Sequence, residues 1–181
     1  MRYAHDCSLK DLKPTHNLVF AFLLFILYSQ LLLGSDTHKK SLFLENITLL
    51  ISWPENNKTN FSICVLNDSV FMNSLQTLYA GKTFKKKPVL ISNLNQNDAP
   101  EQCDILFIGQ KTDQINKLTL ALLNKPTLTV SDRKSMANEG VMITMFEDNN
   151  RIACTINHKV AQQANIRVSY LLLESAYEVI K

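Results

Sequence analysis

The stretch that most constrains the fold is residues 126–157, PTLTVSDRKSMANEGVMITMFEDNNRIACTIN. Thr127–Val130 is a short β-prone run that ends at a polar turn, which predicts a strand. Two further β-prone runs, Val141–Phe146 and Arg151–Ile156, flank the polar residues 147–150, and this pattern predicts a hairpin with a four-residue loop. Because the first arm is apolar on both faces, we expect it to lie inside a sheet.

The remaining elements alternate between helices and apolar strands. Residues 41–53 place apolar side chains at helical spacing as far as Pro54, which predicts an opening helix. Apolar runs predict further strands at Phe61–Leu66, Pro88–Ser92 and Asp104–Ile108. Polar caps predict helices after one of Asn67, Asp68 or Ser69, after Thr112 or Asp113, after Asn157 and after Ser169. The last helix is expected to continue to Ile180. This alternation predicts an α/β fold with a mainly parallel sheet flanked by helices, and a C-terminal antiparallel hairpin at its edge.

The first segment has the layout of a secretory signal. An apolar block, Leu18–Leu33, follows the basic residues Arg2, Lys10 and Lys13, and a small-residue exit begins at Gly34. The block is short for a membrane span, which needs about 20 apolar residues. We therefore predict a signal peptide over residues 1–35 and one exported domain over 36–181. An uncleaved anchor remains the alternative, because the basic region is long and the exit lacks a small-x-small pair.

The cysteines suggest one disulfide. Cys64 lies in the first predicted strand and Cys103 at the mouth of the third, so in an oxidising compartment they are the natural pair. Closing a loop of about 40 residues would stabilise the fold by roughly 4 kcal/mol. The alternative is two buried free thiols. Cys154 is expected to be a small core residue, and without a Cys/His cluster no zinc site is predicted.

The sequence offers little for catalysis. Its four glycines cannot build a phosphate-binding loop, and no nucleophile elbow is present. His158 is the one serious histidine candidate, and at a helix start an exposed histidine is the ordinary interpretation. We predict that the chain is not an enzyme and needs no cofactor, although carboxylates brought together by folding stay open. The net charge of +3 and the single basic run Lys85-Lys86-Lys87 predict no nucleic-acid partner.

A small-molecule site is conceivable at the carboxyl ends of the parallel strands, where crevices form in such sheets. Lys111 and Arg133 fall at these ends and are placed to hold an anion or to contact a partner. The competing interpretation is that Ser131 and Asp132 only cap the next turn.

Six motifs in order span residues 40–181. They are Trp53-Pro54 after the first helix, Ser62–Asn67, the cysteine-led strand Cys103–Gly109, Pro126–Asp132, the pair of segments Glu139–Ile143 and Asn150–Asn157, and a closing pattern around Ser169. In their order and spacing they resemble the YfiR family of bacterial periplasmic proteins. The resemblance marks Trp53, Pro54, Ser131, Asp132, Gly140, Asn157 and Ser169 as family-motif residues with structural roles. The chain departs from the pattern at Asn67, Glu139 and Cys154, which puts the local turns in question.

The resemblance implies a non-catalytic periplasmic regulator. Family members bind the periplasmic part of an inner-membrane sensor, a diguanylate cyclase, and hold it inactive. Reductive or envelope stress frees the cyclase, which raises cyclic-di-GMP and favours biofilm formation. Redox sensitivity fits a fold joined by Cys64 and Cys103. A second copy of the chain stays open as a further partner. The alternative function is a periplasmic small-ligand-binding module that feeds another membrane sensor or a transporter.

Overall fold

The structure, a computed structural model, describes residues 36–95 and 98–181. The predicted signal peptide, residues 1–35, lies outside the described residues. Helices are α1 (36–49), α2 (Ser69–Tyr79), α3 (Ile115–Ala121), α4 (His158–Gln163) and α5 (Tyr170–Ser175). Strands are β1 (Ile51–Ser52), β2 (Phe61–Leu66), β3 (Thr83–Phe84), β4 (Lys87–Leu94), β5 (Ile105–Ile108), β6 (Leu128–Ser131), β7 (Ile143–Asp148), β8 (Arg151–Asn157), β9 (Arg167–Val168) and β10 (Glu178–Ile180).

Eight strands form one sheet in the order β10-β8-β7-β6-β5-β2-β4-β3. The five central strands from β4 to β7 are parallel, β7 and β8 form the antiparallel hairpin, and β10 lies parallel to β8. The α/β prediction with a mainly parallel sheet is therefore confirmed. The hairpin is not the edge of the sheet, however, because β10 covers β8.

Two predicted helices are too long. The opening helix was expected to reach Trp53, but α1 ends at residue 49 and Ile51–Ser52 pairs with Arg167–Val168 as a separate antiparallel sheet. The last helix was expected to reach Ile180, but α5 ends at Ser175 and Glu178–Ile180 joins the main sheet. In both cases pairing with a distant strand overrides a short helical pattern, since these segments gain backbone partners there.

The hairpin loop has two residues rather than the predicted four. Asp148 pairs directly with Arg151, and Asn149 and Asn150 between them have φ of 47° and 63°. A two-residue hairpin turn whose central residues both have positive φ matches the twist of the strands, and asparagine tolerates this conformation. The polar residues that were taken for loop therefore continue the strands.

The central strands β2, β5 and β6 are almost entirely buried, whereas β4 is largely exposed, and each face of the sheet packs on its own apolar cluster. Ile63 and Val65 of β2 belong to the larger cluster with Phe71 of α2, whose ring lies 4.0 Å from that of Phe107. Cys64 is on the opposite face, in the smaller cluster against α3. Since successive side chains of a strand alternate between faces, the cysteine is on the α3 side of the sheet.

The helix starts follow the expected caps with one exception. The Asp68 side chain accepts a hydrogen bond from the Phe71 amide at the start of α2, as predicted. Helix α3, in contrast, begins after Gln114, which has φ of 58°, and not at a Thr112 or Asp113 cap. Thr112 instead accepts a hydrogen bond from the Asn67 amide (3.2 Å), which joins the ends of β2 and β5.

Candidate functional site

The disulfide joins two neighbouring parallel strands. Cys64 lies in β2 and Cys103 immediately before β5, with their Cα atoms 5.9 Å apart and 39 positions apart in sequence. Both cysteines are buried. The Cys103 carbonyl accepts a hydrogen bond from the buried Thr127 hydroxyl (2.9 Å), which ties the same point to the segment before β6. The covalent link therefore lies at the centre of the sheet, and it closes the loop that contains α2, β3 and β4.

A cavity of about 360 Å³ opens onto this disulfide. It is lined by Ser62, Ser92 and Asn93 from the strands and by Ala99 and Gln102 from the loop before β5, together with the two cysteines. The Ser92 hydroxyl donates a hydrogen bond to Cys64 Sγ over 3.7 Å. The cavity side of the disulfide is thus lined mainly by polar side chains, whereas both cysteines also belong to the smaller apolar cluster.

Asp104, next to Cys103, organises the amino-terminal ends of the strands. Its side chain is only 5% exposed, forms an ion pair with Lys58 (3.0 Å) and accepts the Ser62 amide hydrogen bond (2.8 Å). Its backbone carbonyl accepts a hydrogen bond from Trp53 Nε1 (3.0 Å). Trp53 is therefore held against the strand that follows Cys103, which gives the Trp53-Pro54 motif a structural reason.

A second cavity, of about 470 Å³, lies beside Trp53 at the amino-terminal ends of β2, β4 and β5. Trp53 and Phe84 stand edge to face with centroids 5.9 Å apart, and Phe61 lies 4.5 Å from Phe84. Lys85 Nζ lies 5.4 Å from the Phe84 ring centroid, and the exposed Arg167 contributes a second cation. The carboxylates Glu55 and Asp104 also line the cavity, so its aromatic walls stand beside charges of both signs.

Sequence reasoning missed this cavity. The sequence predicted a ligand site at the carboxyl ends of the strands and a solvated turn at Lys85-Lys86-Lys87. Lys85 and Lys86 do form the β3–β4 turn, both with positive φ, but Lys85 also reaches the aromatic wall. The available signal was the single tryptophan of the chain, followed by proline, with two phenylalanines further along.

At the carboxyl ends, Arg133 contacts the residue that precedes Lys111. Arg133 Nη1 donates a hydrogen bond to the Gln110 carbonyl (3.2 Å), and its guanidinium forms an ion pair with Glu139 (3.5 Å). Lys111, the residue after Gln110, is exposed. Neither side chain lines the two cavities described above. A role for them in ligand or partner binding stays a prediction.

The other motif residues of this region make internal bonds. Ser131 donates a hydrogen bond to the Ile108 carbonyl (2.7 Å) and accepts one from the Arg133 amide (3.2 Å). Asp132 forms an ion pair with Lys40 (3.1 Å) and accepts a hydrogen bond from the Gln110 side chain (2.9 Å). These bonds connect the end of β6 to β5 and to α1.

Three further motif residues shape turns and caps. Gly140 has φ of 93°, a conformation that favours glycine, at the end of the turn before β7. The Asn157 side chain accepts a hydrogen bond from the Val160 amide (3.1 Å) as the cap of α4, and it donates one to the Ala137 carbonyl (3.1 Å). Ser169 caps α5 in the same way.

Neither cavity is lined by His158, by the hairpin carboxylates or by Cys154. His158 is half-buried at the first position of α4, and Glu147 and Asp148 are exposed beside the hairpin turn. Cys154 is a buried free thiol, and burial raises its pKa from 9.0 to about 11. Such a thiol stays protonated and inert at neutral pH. Within residues 36–95 and 98–181, no three His, Cys, Asp or Glu side chains are grouped so that they could hold a metal ion.

A family model described as YfiR/HmsC-like matches residues 38–177, nearly the whole described chain. The chain belongs to this family. The YfiR/HmsC-like family is regulatory and non-catalytic, and its members are periplasmic regulators of diguanylate cyclases. No helix in the described part of the chain is long and apolar enough to cross a membrane.

One solved structure shares the fold of this chain at low sequence identity. A conserved domain protein from Vibrio cholerae O1 biovar eltor has a TM-score of 0.55 and 13% identity, over 79% of this chain and 60% of its own. The ABC domain in complex with L-Trp from Streptococcus pneumonia has a TM-score of 0.46 and 12% identity, over 66% and 55%. The chain thus spans little more than half of each structure's length. No curated protein matches the chain in sequence.

Proposed function

We propose that this YfiR/HmsC-like protein is an exported repressor that binds the periplasmic part of an inner-membrane diguanylate cyclase and holds it inactive. The observation that carries the proposal is the family match over residues 38–177. We further propose that the Cys64–Cys103 disulfide makes this repression sensitive to the redox state of the envelope.

The position of the disulfide supports the redox part of the proposal. Reduction would remove the covalent link between β2 and the segment before β5, which also carries the Asp104 bonds to Trp53 and Lys58. A loosened sheet would then present a different surface to the sensor. Cys154 is buried on the other face of the sheet. Its substitution therefore removes a thiol and leaves the Cys64–Cys103 disulfide intact.

The test combines a cellular and a binding measurement. In the strain that lacks the protein, the cyclic-di-GMP concentration should rise, and expression of the wild-type chain should return it to the lower level. The variant Cys64→Ala/Cys103→Ala should leave cyclic-di-GMP high, and it should not capture the sensor in a pull-down from membranes. Cys154→Ala should behave as wild type in both measurements. Unchanged cyclic-di-GMP in the deletion strain would sink the cyclase proposal. Full repression by the double cysteine variant would sink only its redox part.

We assign the partner contact to the surface formed by Lys111 and Arg133. The two cations lie on neighbouring strand ends, and Lys111 is exposed. Lys111→Glu should weaken capture of the sensor about tenfold, because it reverses a charge at the contact. Lys125→Glu, a charge reversal at another exposed lysine, is the matched control and should have no effect. Equal effects of the two variants would remove this assignment.

Export rests on the predicted signal peptide. The protein recovered from the periplasm should begin near Ser35, as determined by intact mass. A full-length chain in the membrane fraction would instead establish the anchor.

A small-ligand-binding module is the second candidate, and the cavity beside Trp53 favours it. Its aromatic wall suits a planar ring, and the cations Lys85 and Arg167 would pair with an anionic group of that ligand. Of the two carboxylates in the lining, Asp104 is already paired with Lys58. Calorimetry with nucleotides and aromatic carboxylates should show binding that Arg167→Ala weakens. Absence of heat for every compound would count against this function.

A further inference from the structure

The two sulfur atoms of the disulfide differ in their surroundings. Thiol–disulfide exchange proceeds by attack of a thiolate on one sulfur, and the approach is along the sulfur–sulfur axis from the far side. Ser92 pairs with Cys64 in register across β2 and β4, on the side of β2 away from β5. Its hydroxyl lies 3.7 Å from Cys64 Sγ. The far side of Cys64 is therefore occupied by a hydrogen-bond donor.

The cavity residues that are near Cys103 in sequence are of a different kind. They are Asp98 and Ala99, which precede a single 3₁₀ turn, Pro100–Gln102, and the exposed Gln102 at its end. Exposure in the resting protein favours the other sulfur slightly, since Cys64 is 5% exposed and Cys103 is 1% exposed. Exposure alone thus predicts attack on Cys64, whereas the Ser92 hydrogen bond predicts attack on Cys103.

We propose that this cavity is a site of exchange with low-molecular-weight thiols, in which the incoming thiolate bonds to Cys103 Sγ. The Cys64–Cys103 bond breaks, and Cys64 Sγ leaves as a thiolate that accepts the Ser92 hydrogen bond. A second thiolate then attacks the outer sulfur of the mixed disulfide. This step releases the oxidised small-molecule disulfide and leaves the Cys103 thiolate, so two thiols are oxidised for one protein disulfide reduced.

Ser92 is in this scheme a positioning residue that stabilises the leaving group. A leaving thiolate of lower pKa departs faster, and a donor to a charged sulfur is stronger than a donor to a neutral one. Because Ser92 is exposed to solvent, we expect a modest effect, about threefold in the rate of reduction. The inference deepens the proposed redox function and depends on it only for its biological use.

The experiment treats the purified full-length oxidised protein with reduced glutathione. Samples are quenched in acid, free thiols are alkylated, and peptides are mapped by mass spectrometry. Glutathione should appear on the Cys103 peptide and the alkyl group on Cys64. Ser92→Ala should slow reduction about threefold, whereas Ser92→Thr, which keeps the hydroxyl, should react as wild type. Ser62→Ala is the matched control, since it removes the other serine hydroxyl of the cavity wall.

Each outcome decides the matter. A purely structural role for Ser92 would make Ser92→Ala faster than Ser62→Ala or equal to it, because a smaller side chain opens the cavity, and either result overturns the proposal. Glutathione on Cys64, or a native protein that glutathione does not reduce, overturns it as well. These measurements use no sensor. If glutathione reduces the protein as expected but cyclic-di-GMP in cells does not respond to the double cysteine variant, the proposed redox function is wrong. The exchange site is then still supported.

Discussion

Removal of the disulfide should cost about 4 kcal/mol of folding stability. The perturbation is the double variant Cys64→Ala/Cys103→Ala, which leaves no unpaired thiol at the site. The bond joins residues 39 positions apart. In the chain-entropy model, releasing a loop of that length lowers the free energy of unfolding by about 4 kcal/mol at 25 °C, because the unfolded chain regains its freedom. Lost packing of two buried sulfur atoms adds a smaller cost.

The assay is equilibrium urea denaturation of the oxidised protein. For a slope of about 2 kcal/mol per molar urea, the midpoint should fall by about 2 M. Wild type in reducing agent should approach the double variant, and the double variant should not respond to reducing agent. Cys154→Ala is the control and should keep the response to reducing agent. A fall of less than about 0.5 M in the midpoint would refute the reasoning, since it would mean that the bond does not restrain the unfolded chain.

Three further predictions concern single residues. Gly109→Ala should destabilise the protein by about 3 kcal/mol in the same denaturation assay, because the new Cβ would lie 2.6 Å from the Asn67 carbonyl oxygen. The control Gly81→Ala, in open space at φ +71°, should cost only about 1 kcal/mol. Similar costs for the two variants would contradict the predicted clash. Burial raises the pKa of Cys154 to about 11, so stability that is full below pH 9 should fall by about 2–3 kcal/mol as pH rises through 11, and Cys154→Ala should lack this extra loss in denaturation at each pH. Asn157→Ala should cost about 2 kcal/mol by thermal or urea unfolding, because it removes a helix cap and leaves a buried carbonyl without its donor; a cost under 0.5 kcal/mol would show that water replaces both bonds.

The parts of the fold that follow from the sequence are those with strong local patterns. Strands such as Phe61–Leu66 are continuous apolar runs, and α2 has both an Asp68 cap and a clear apolar stripe. The two-residue strands β1 and β9 carry no periodicity of their own, and they exist because each offers the other backbone partners. Strand β10 was missed for the same reason, since its pairing with β8 arises only after the chain has folded back.

The candidate sites show a similar division. The Cys64–Cys103 pair could be proposed because two adjacent parallel strands put the residues within reach. The cavity beside Trp53 could not, because it brings together segments from Ser52 to Arg167 whose proximity depends on the register of the sheet. The Ser92–Cys64 contact is likewise set by the register of β2 and β4, which sequence does not give.

The order of the cysteines along the fold has a consequence for biogenesis. If the chain is exported as proposed and the leader is removed together with Cys7, the domain presents Cys64 and then Cys103 to the oxidising machinery, and Cys154 emerges about fifty residues later. The correct partners can therefore be joined while the third sulfur is still out of reach. Once the hairpin closes, Cys154 is enclosed in β8 and is removed from scrambling. The proposed export and the topology of the sheet would thus select the same pairing.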